Sequence, residues 1–186
     1  RKSNSAPASW PVSCTAAGTL ILVDRLLDIS GLSGTDTALQ PAAGIGGTIT
    51  RNTGGAGNLI IIEIYTQIGT TATTFTVDYT DQDGNAAQTS TATAIGGTGL
   101  REAQRAIIVP LASGDTGVRA VNKVDLLAST GTAGDFGVTL ARKLAQVDLT
   151  VGTGGARDFV SGIPAIVEID TDACLAMYFS CVSTTA

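Results

Sequence analysis

The chain of 186 residues has no histidine. That removes the commonest general base, the Ser-His-Asp and Cys-His nucleophilic arrangements, and the commonest transition-metal ligand. Aromatic residues are scarce at 4%, and charged residues reach only 15%, against roughly 25% in an ordinary soluble domain. A surface so poor in charge must be made of Thr, Ser, Gly, Ala and Gln, or be partly covered by other subunits. The 11 basic residues are scattered, and the net charge is −5. A phosphate-backbone surface needs clustered Lys and Arg, so no nucleic-acid partner is expected. No apolar run approaches the roughly 18 residues of a membrane span, and no membrane partner is expected. RKSNSAPASWP has two basic residues without an apolar stretch behind them, unlike a secretory signal.

Cysteine is also thin, with Cys14, Cys174 and Cys181. An odd number leaves at least one unpaired within a chain. If Cys174 and Cys181 lie on one strand, they are roughly 23 Å apart at about 3.3 Å per residue. A disulfide needs Cα atoms within about 7 Å. Buried free thiols are therefore expected, which suits assembly in a reducing cytoplasm. The three are too dispersed for a zinc site.

What is present is β-forming sequence. Leu59–Tyr65 is a dense β-branched run. Thr74–Thr80 then alternates, with Phe75, Val77 and Tyr79 on one face and Thr74, Thr76, Asp78 and Thr80 on the other, the period of a half-buried strand. Asp81-Gln82-Asp83-Gly84-Asn85 is a hairpin turn, and Ala86–Ala94 is its return. The stretch Asn58–Gly97 reads as a β-meander. Further strands are expected at Leu20–Ile29, Thr48–Arg51, Ile107–Val109, Gly117–Leu127 and Asp135–Leu144, with two more in Ile163–Ser183 joined at Thr171-Asp172. Arg25-Leu26-Leu27 and the start of Leu100–Leu111 could each form a helical turn. In Gly117–Leu127, Val118, Ala120, Val124 and Leu126 share a phase that Val121 and Asn122 break.

About eight to ten short strands between Gly-rich turns, with no long helix, predict an all-β antiparallel β-sandwich, jelly-roll or immunoglobulin-like, with Gly/Thr-rich loops. Residues 1–14 are Ser-, Pro- and Ala-rich and read as an extended arm ahead of a single domain over 15–186. Trp10 and Pro11 in that arm are interface candidates, since a Trp buries a large area on a neighbour; Trp10 packing on its own domain is the other reading.

Candidate chemistry is sparse. Asp78, Asp81, Asp83 and Asn85 form the densest oxygen-ligand cluster, of a kind that would suit calcium. Asp81, Asp83 and Asn85 match the first ligand positions of an EF-hand loop, but Ala86 and Ala92 stand where that loop needs Gly and Glu. The hairpin explains these residues without a metal, and no cofactor is expected. Glu168, Asp170 and Asp172 would share one strand face and could pair as glycosidase carboxylates, with a solvated strand end as the plainer reading. The glycine runs 44–47, 54–57 and 152–155 match no phosphate loop and read as turns. Asp135-Phe136-Gly137 is an isolated triplet without other kinase elements.

Three motifs carry a resemblance: Trp10–Leu20 (W-P-x-S-x-T-A-A-G-T-L), Asp24–Asp28 (D-R-L-L-D) and Tyr79–Gly84 (Y-T-x-Q-x-G). In these the first half of the chain resembles a group of bacteriophage virion proteins encoded among head genes. The resemblance implies a structural, non-enzymatic role at the capsid surface, as a decoration or minor capsid protein assembled in the host cytoplasm. The expected partners are the major capsid protein and copies of the chain itself, a trimer being favoured. A tail or fibre module that binds a host receptor or glycan is the alternative, and a carbohydrate-active β-domain the third.

Overall fold

The computed structural model describes residues 17–41, 49–86, 88–151 and 169–181. Among the described residues there is no helix. Ten strands follow one another among the described residues: β1 (Gly18–Leu32), β2 (Gln40–Pro41), β3 (Asn58–Thr66), β4 (Thr73–Asp81), β5 (Gln88–Thr89), β6 (Thr93–Ile95), β7 (Ala106–Val109), β8 (Val118–Leu126), β9 (Asp135–Leu149) and β10 (Leu175–Cys181).

Side-chain alternation sets which face of each strand is buried. In β3, Ile60, Ile62 and Ile64 enter the core, while Glu63 and Tyr65 lie on the other face. In β4, Phe75, Val77 and Tyr79 are buried as the alternation predicts. Phe136, Val138 and Leu140 of β9 and Val118, Val121, Val124 and Leu126 of β8 complete a single hydrophobic cluster. It lies between two antiparallel sheets.

The first sheet has the order β10-β1-β9-β3-β7, and the second β2-β8-β4-β5, with β6 also paired to β4. From β1 to β4 each strand lies in the opposite sheet to the one before it, and β7, β8 and β9 alternate likewise. The orders β1-β9-β3-β7 and β2-β8-β4-β5 are those of a jelly roll, two interlocked Greek keys. An immunoglobulin-like sandwich keeps its first two strands side by side in one sheet, which β1 and β2 do not do.

The crossing corrects the expected meander. β3 and β4 adjoin in sequence but never pair; β3 bonds to β7 and β9, and β4 to β5, β6 and β8. Residues 67–72 carry the chain from one sheet to the other. At the crossing, the Thr130 Oγ1 accepts a bond from Gly69 N (3.0 Å) and reaches Gly34 O at 2.8 Å. A Cβ at Gly69 would overlap the Thr130 carbonyl, so only glycine fits.

Four more expectations change. Arg25-Leu26-Leu27 is strand and not helical turn, lying inside the unbroken β1. Ile49–Arg51 is not a strand. Residues 101–104 form a turn ahead of β7, which ends at Pro110 as expected, because proline offers no N–H to the ladder. In β8 the broken phase has a cause. Asp78 pairs with Lys123 while Tyr79 pairs with Val121, so Asn122 is the extra residue of a β-bulge. A second shift between Thr80 and Asp81 leaves Arg119 extra. The inward residues therefore fall at 118, 121, 124 and 126, and Ala120, expected in the apolar phase, is only half-buried.

The chain divides into two compact units. Asp24–Lys143 forms one and contains every residue of the hydrophobic cluster. Residues up to Val23 and from Leu144 onward form the other. Its described residues include the start of β1, the end of β9 and β10, and there the Thr19 hydroxyl donates to the Asp148 carboxylate at 2.9 Å.

Candidate functional site

The structure keeps Asp81, Asp83 and Asn85 together in one turn and sets Asp78 apart from them. Asp81 follows the inward phase of β4 and is 2% exposed; Asp78 lies on the opposite face, where it accepts a bond from the Thr89 hydroxyl. Asp81 closes the turn. Its Oδ1 accepts from Asp83 N and Asn85 N, both at 2.8 Å, and its Oδ2 accepts from Asn85 Nδ2 at 2.8 Å. Gly84 takes φ +90°, the left-handed region that glycine enters freely. The Asn85 side chain, followed by the turn's backbone N–H groups, holds the Asp81 carboxyl below its ordinary pKa. Gln82 Oε1 receives Thr116 N and Gly117 N, and Arg119 Nε donates to the Gln82 carbonyl. The turn is thereby bound to the start of β8. Among the described residues no group of three or more His, Cys, Asp or Glu is placed to hold a metal ion.

Asp170 and Asp172 stand in a turn, where Ala173 N donates to Asp170 O at 3.1 Å. They do not share a strand face. Glu168 lies outside the described residues, as do Trp10, Pro11 and Cys14. Cys174 precedes β10 and is exposed, a correction to the expected buried thiol. It falls in the connection between the turn and the strand, before the ladder begins.

The richest polar constellation is one that periodicity does not announce. It crosses three adjacent strands of the first sheet. The Arg25 guanidinium on β1 contacts Asp28 at 2.9 Å, Glu63 on β3 at 3.2 Å and the Thr139 hydroxyl on β9 at 3.1 Å. Thr139 is fully buried and its hydroxyl reaches Glu63 Oε1 at 2.9 Å. The Tyr65 hydroxyl donates to Asp28 Oδ1 at 2.7 Å. Burial, then the bond to Asp28 and the negative charge of Glu63, push the Tyr65 hydroxyl far above its ordinary pKa. It stays protonated and serves as a donor.

Two further groups are held in the same way. Arg51 grips the buried Asp24 with two bonds, Nε to Oδ2 at 2.8 Å and Nη2 to Oδ1 at 2.9 Å, and also donates to the Arg25 carbonyl. Tyr79, buried in the core, donates its hydroxyl to Asp115 and accepts from Ala112 N at 2.9 Å. A general acid or base has to face a substrate proton across a gap it does not fill itself. In these clusters the carboxylates, hydroxyls and guanidinium groups are committed to neighbours in the chain. The arrangement fastens strands together.

Comparison of the chain with protein-family models, with curated proteins and with solved structures finds no match in any of the three.

Proposed function

We propose that this chain is a non-enzymatic structural protein of a bacteriophage virion, a capsid decoration or minor capsid protein that stabilises the shell through contacts with the major capsid protein and with copies of itself. The observation that carries the reading is the jelly-roll strand order, an architecture shared, by analogy of fold, with viral capsid domains. Three features support it. The polar clusters are spent on holding strands together, charge is low for the chain's size, and the first half of the sequence resembles virion proteins from head-gene clusters.

A second reading draws on the same observation, because lectin domains also use jelly rolls. On that reading the chain is a tail or fibre module binding a host glycan or receptor. Purified virions separate the two. Reconstruction of the particle is expected to place the chain on the capsid surface, following the symmetry of the shell. Density at the tail alone, in a few copies, would favour the glycan reading, and absence from the virion would defeat both.

A further inference from the structure

Asp83-Gly84 is the chain's single Asp-Gly step, and the sequence holds no Asn-Gly. An aspartate followed by glycine is the pair most open to rearrangement without an enzyme, because the missing Cβ lets the next backbone nitrogen approach the side-chain carboxyl carbon. Both residues are exposed at the turn that follows β4, where water reaches them.

The rearrangement needs no reagent but water. Gly84 N gives up its proton and bonds to Asp83 Cγ, one carboxyl oxygen leaves as water, and a cyclic imide closes. Water then adds to one of the two imide carbonyls. Opening at the Asp83 backbone carbonyl carbon breaks its bond to Gly84 N and leaves the chain running through Cγ, an isoaspartate with a free α-carboxylate. Opening at Cγ restores aspartate. In the folded turn neither reacting group is at liberty. Gly84 N donates to Asp81 O at 3.2 Å, and the Asp83 carboxylate accepts from Gln82 Nε2 at 3.0 Å. Asp83 N and Asn85 N share Asp81 Oδ1, which ties the backbone on both sides of the reacting bond. A donated N–H keeps its proton, and a backbone tied at 83 and 85 resists the rotation that ring closure requires until the turn opens.

We propose that Asp83–Gly84 is a site of spontaneous isoaspartate formation, and that the Asp81 carboxylate keeps it closed while the turn is intact. Asp81 makes and breaks no covalent bond; it is a positioning residue that holds the reacting atoms apart. Once isoaspartate has formed, the backbone between residues 83 and 84 is longer by one carbon. The Asp83 and Asn85 N–H groups then no longer converge on one oxygen, and the turn cannot close as before. Gln82 is seated on Thr116 N and Gly117 N, and its carbonyl is held by Arg119. The change therefore loosens the turn from the start of β8.

The full chain is aged for weeks at mildly acidic pH, folded and, in parallel, unfolded in guanidinium chloride. Electron-transfer fragmentation of the peptide holding residue 83 distinguishes isoaspartate from aspartate at equal mass. In the unfolded chain isoaspartate is expected to gather first at residue 83, and at least about tenfold more slowly there in the folded protein. Asp81→Asn, which leaves Asn85 Nδ2 facing an amide, is expected to narrow that gap to less than about threefold. Asn85→Ala, at an exposed position, removes the same bond from the other side and is expected to narrow it as well. The control Asp125→Asn, exposed on β8 and outside the turn, is expected to leave the gap unchanged. Circular dichroism of each variant reports whether it has folded, and Asn85→Ala decides if Asp81→Asn does not fold. Equal rates in the folded and unfolded wild type overturn the proposal. So does a gap that survives in every folded turn variant, or an unfolded chain that rearranges faster at another aspartate.

Discussion

Tyr79 shows how one side chain fixes a position by its polar end while its ring fills the core. Burial, followed by the bond to Asp115, raises its hydroxyl to about 12, from an ordinary 10.0. Ionisation is thus easier in the unfolded chain than in the folded one. The stability tied to the neutral hydroxyl is fully present below about pH 10 and is lost as pH rises through about 12. Tyr65 is raised as well, so its loss falls in the same alkaline direction. Urea midpoints followed upward from about pH 9 should decline, and Tyr79→Phe should flatten that decline while starting from a lower value, since it strands Ala112 N–H and Asp115 without their partner. An unchanged alkaline slope in Tyr79→Phe would mean that this hydroxyl is not what titrates. Asp81 works with the opposite sign. Its lowered pKa contributes stability above the ordinary carboxylate range that disappears as pH falls through the folded value.

Among the elements, β8 separates a sequence rule from its exception. Simple alternation would expose Val121 and bury Ala120; the bulge at Asn122 turns Val121 inward, where it is 2% exposed. Val121→Ala should therefore cost about 2 kcal/mol, and Asn122→Ala less than about 0.5 kcal/mol. Denaturant melts of the two variants check this, and equal effects would remove the bulge from the account. The break in phase was visible in the residues, and so were β4 and the Asp81–Asn85 turn, because each rests on alternation or turn chemistry within a few positions. β1 was less legible. Arg25-Leu26-Leu27 has a helix-like look because the strand has paired neighbours on both sides and is half-buried at successive positions, which erases the period of two. The Arg25–Glu63–Thr139 cluster was not legible at all. Its members meet only because β9 lies between β1 and β3, a neighbourhood that no local pattern encodes. The crossing between β3 and β4 was hidden for the same reason, since strands separated by six residues pair in many folds.

At the scale of the whole molecule, the hydrophobic cluster is contained in Asp24–Lys143. That segment expressed alone should give a β-type circular dichroism spectrum and unfold in one cooperative transition. A gradual, non-cooperative melt would show that this segment does not fold without the rest of the chain. The composition pointed at this scale to the sheet-rich class and to weak surface charge, and the sandwich follows the first of these. Which strands share a sheet depends on contacts between distant residues.

The jelly-roll order also fixes a timetable. β3 is joined to β9 from Asn58↔Arg142 onward, and β1 likewise waits for β9. During synthesis β1 has no partner strand, and β3 only β7, until residues 135–149 emerge, so the first sheet closes late, and a topology built on such distant pairings folds in milliseconds to seconds. β10 follows β9 in the chain. β10 is thus the last described strand to leave the ribosome, after every described strand of the core has been made. The pairings of the core therefore have a head start over any contact made by the exposed apolar side chains Leu175, Met177 and Phe179.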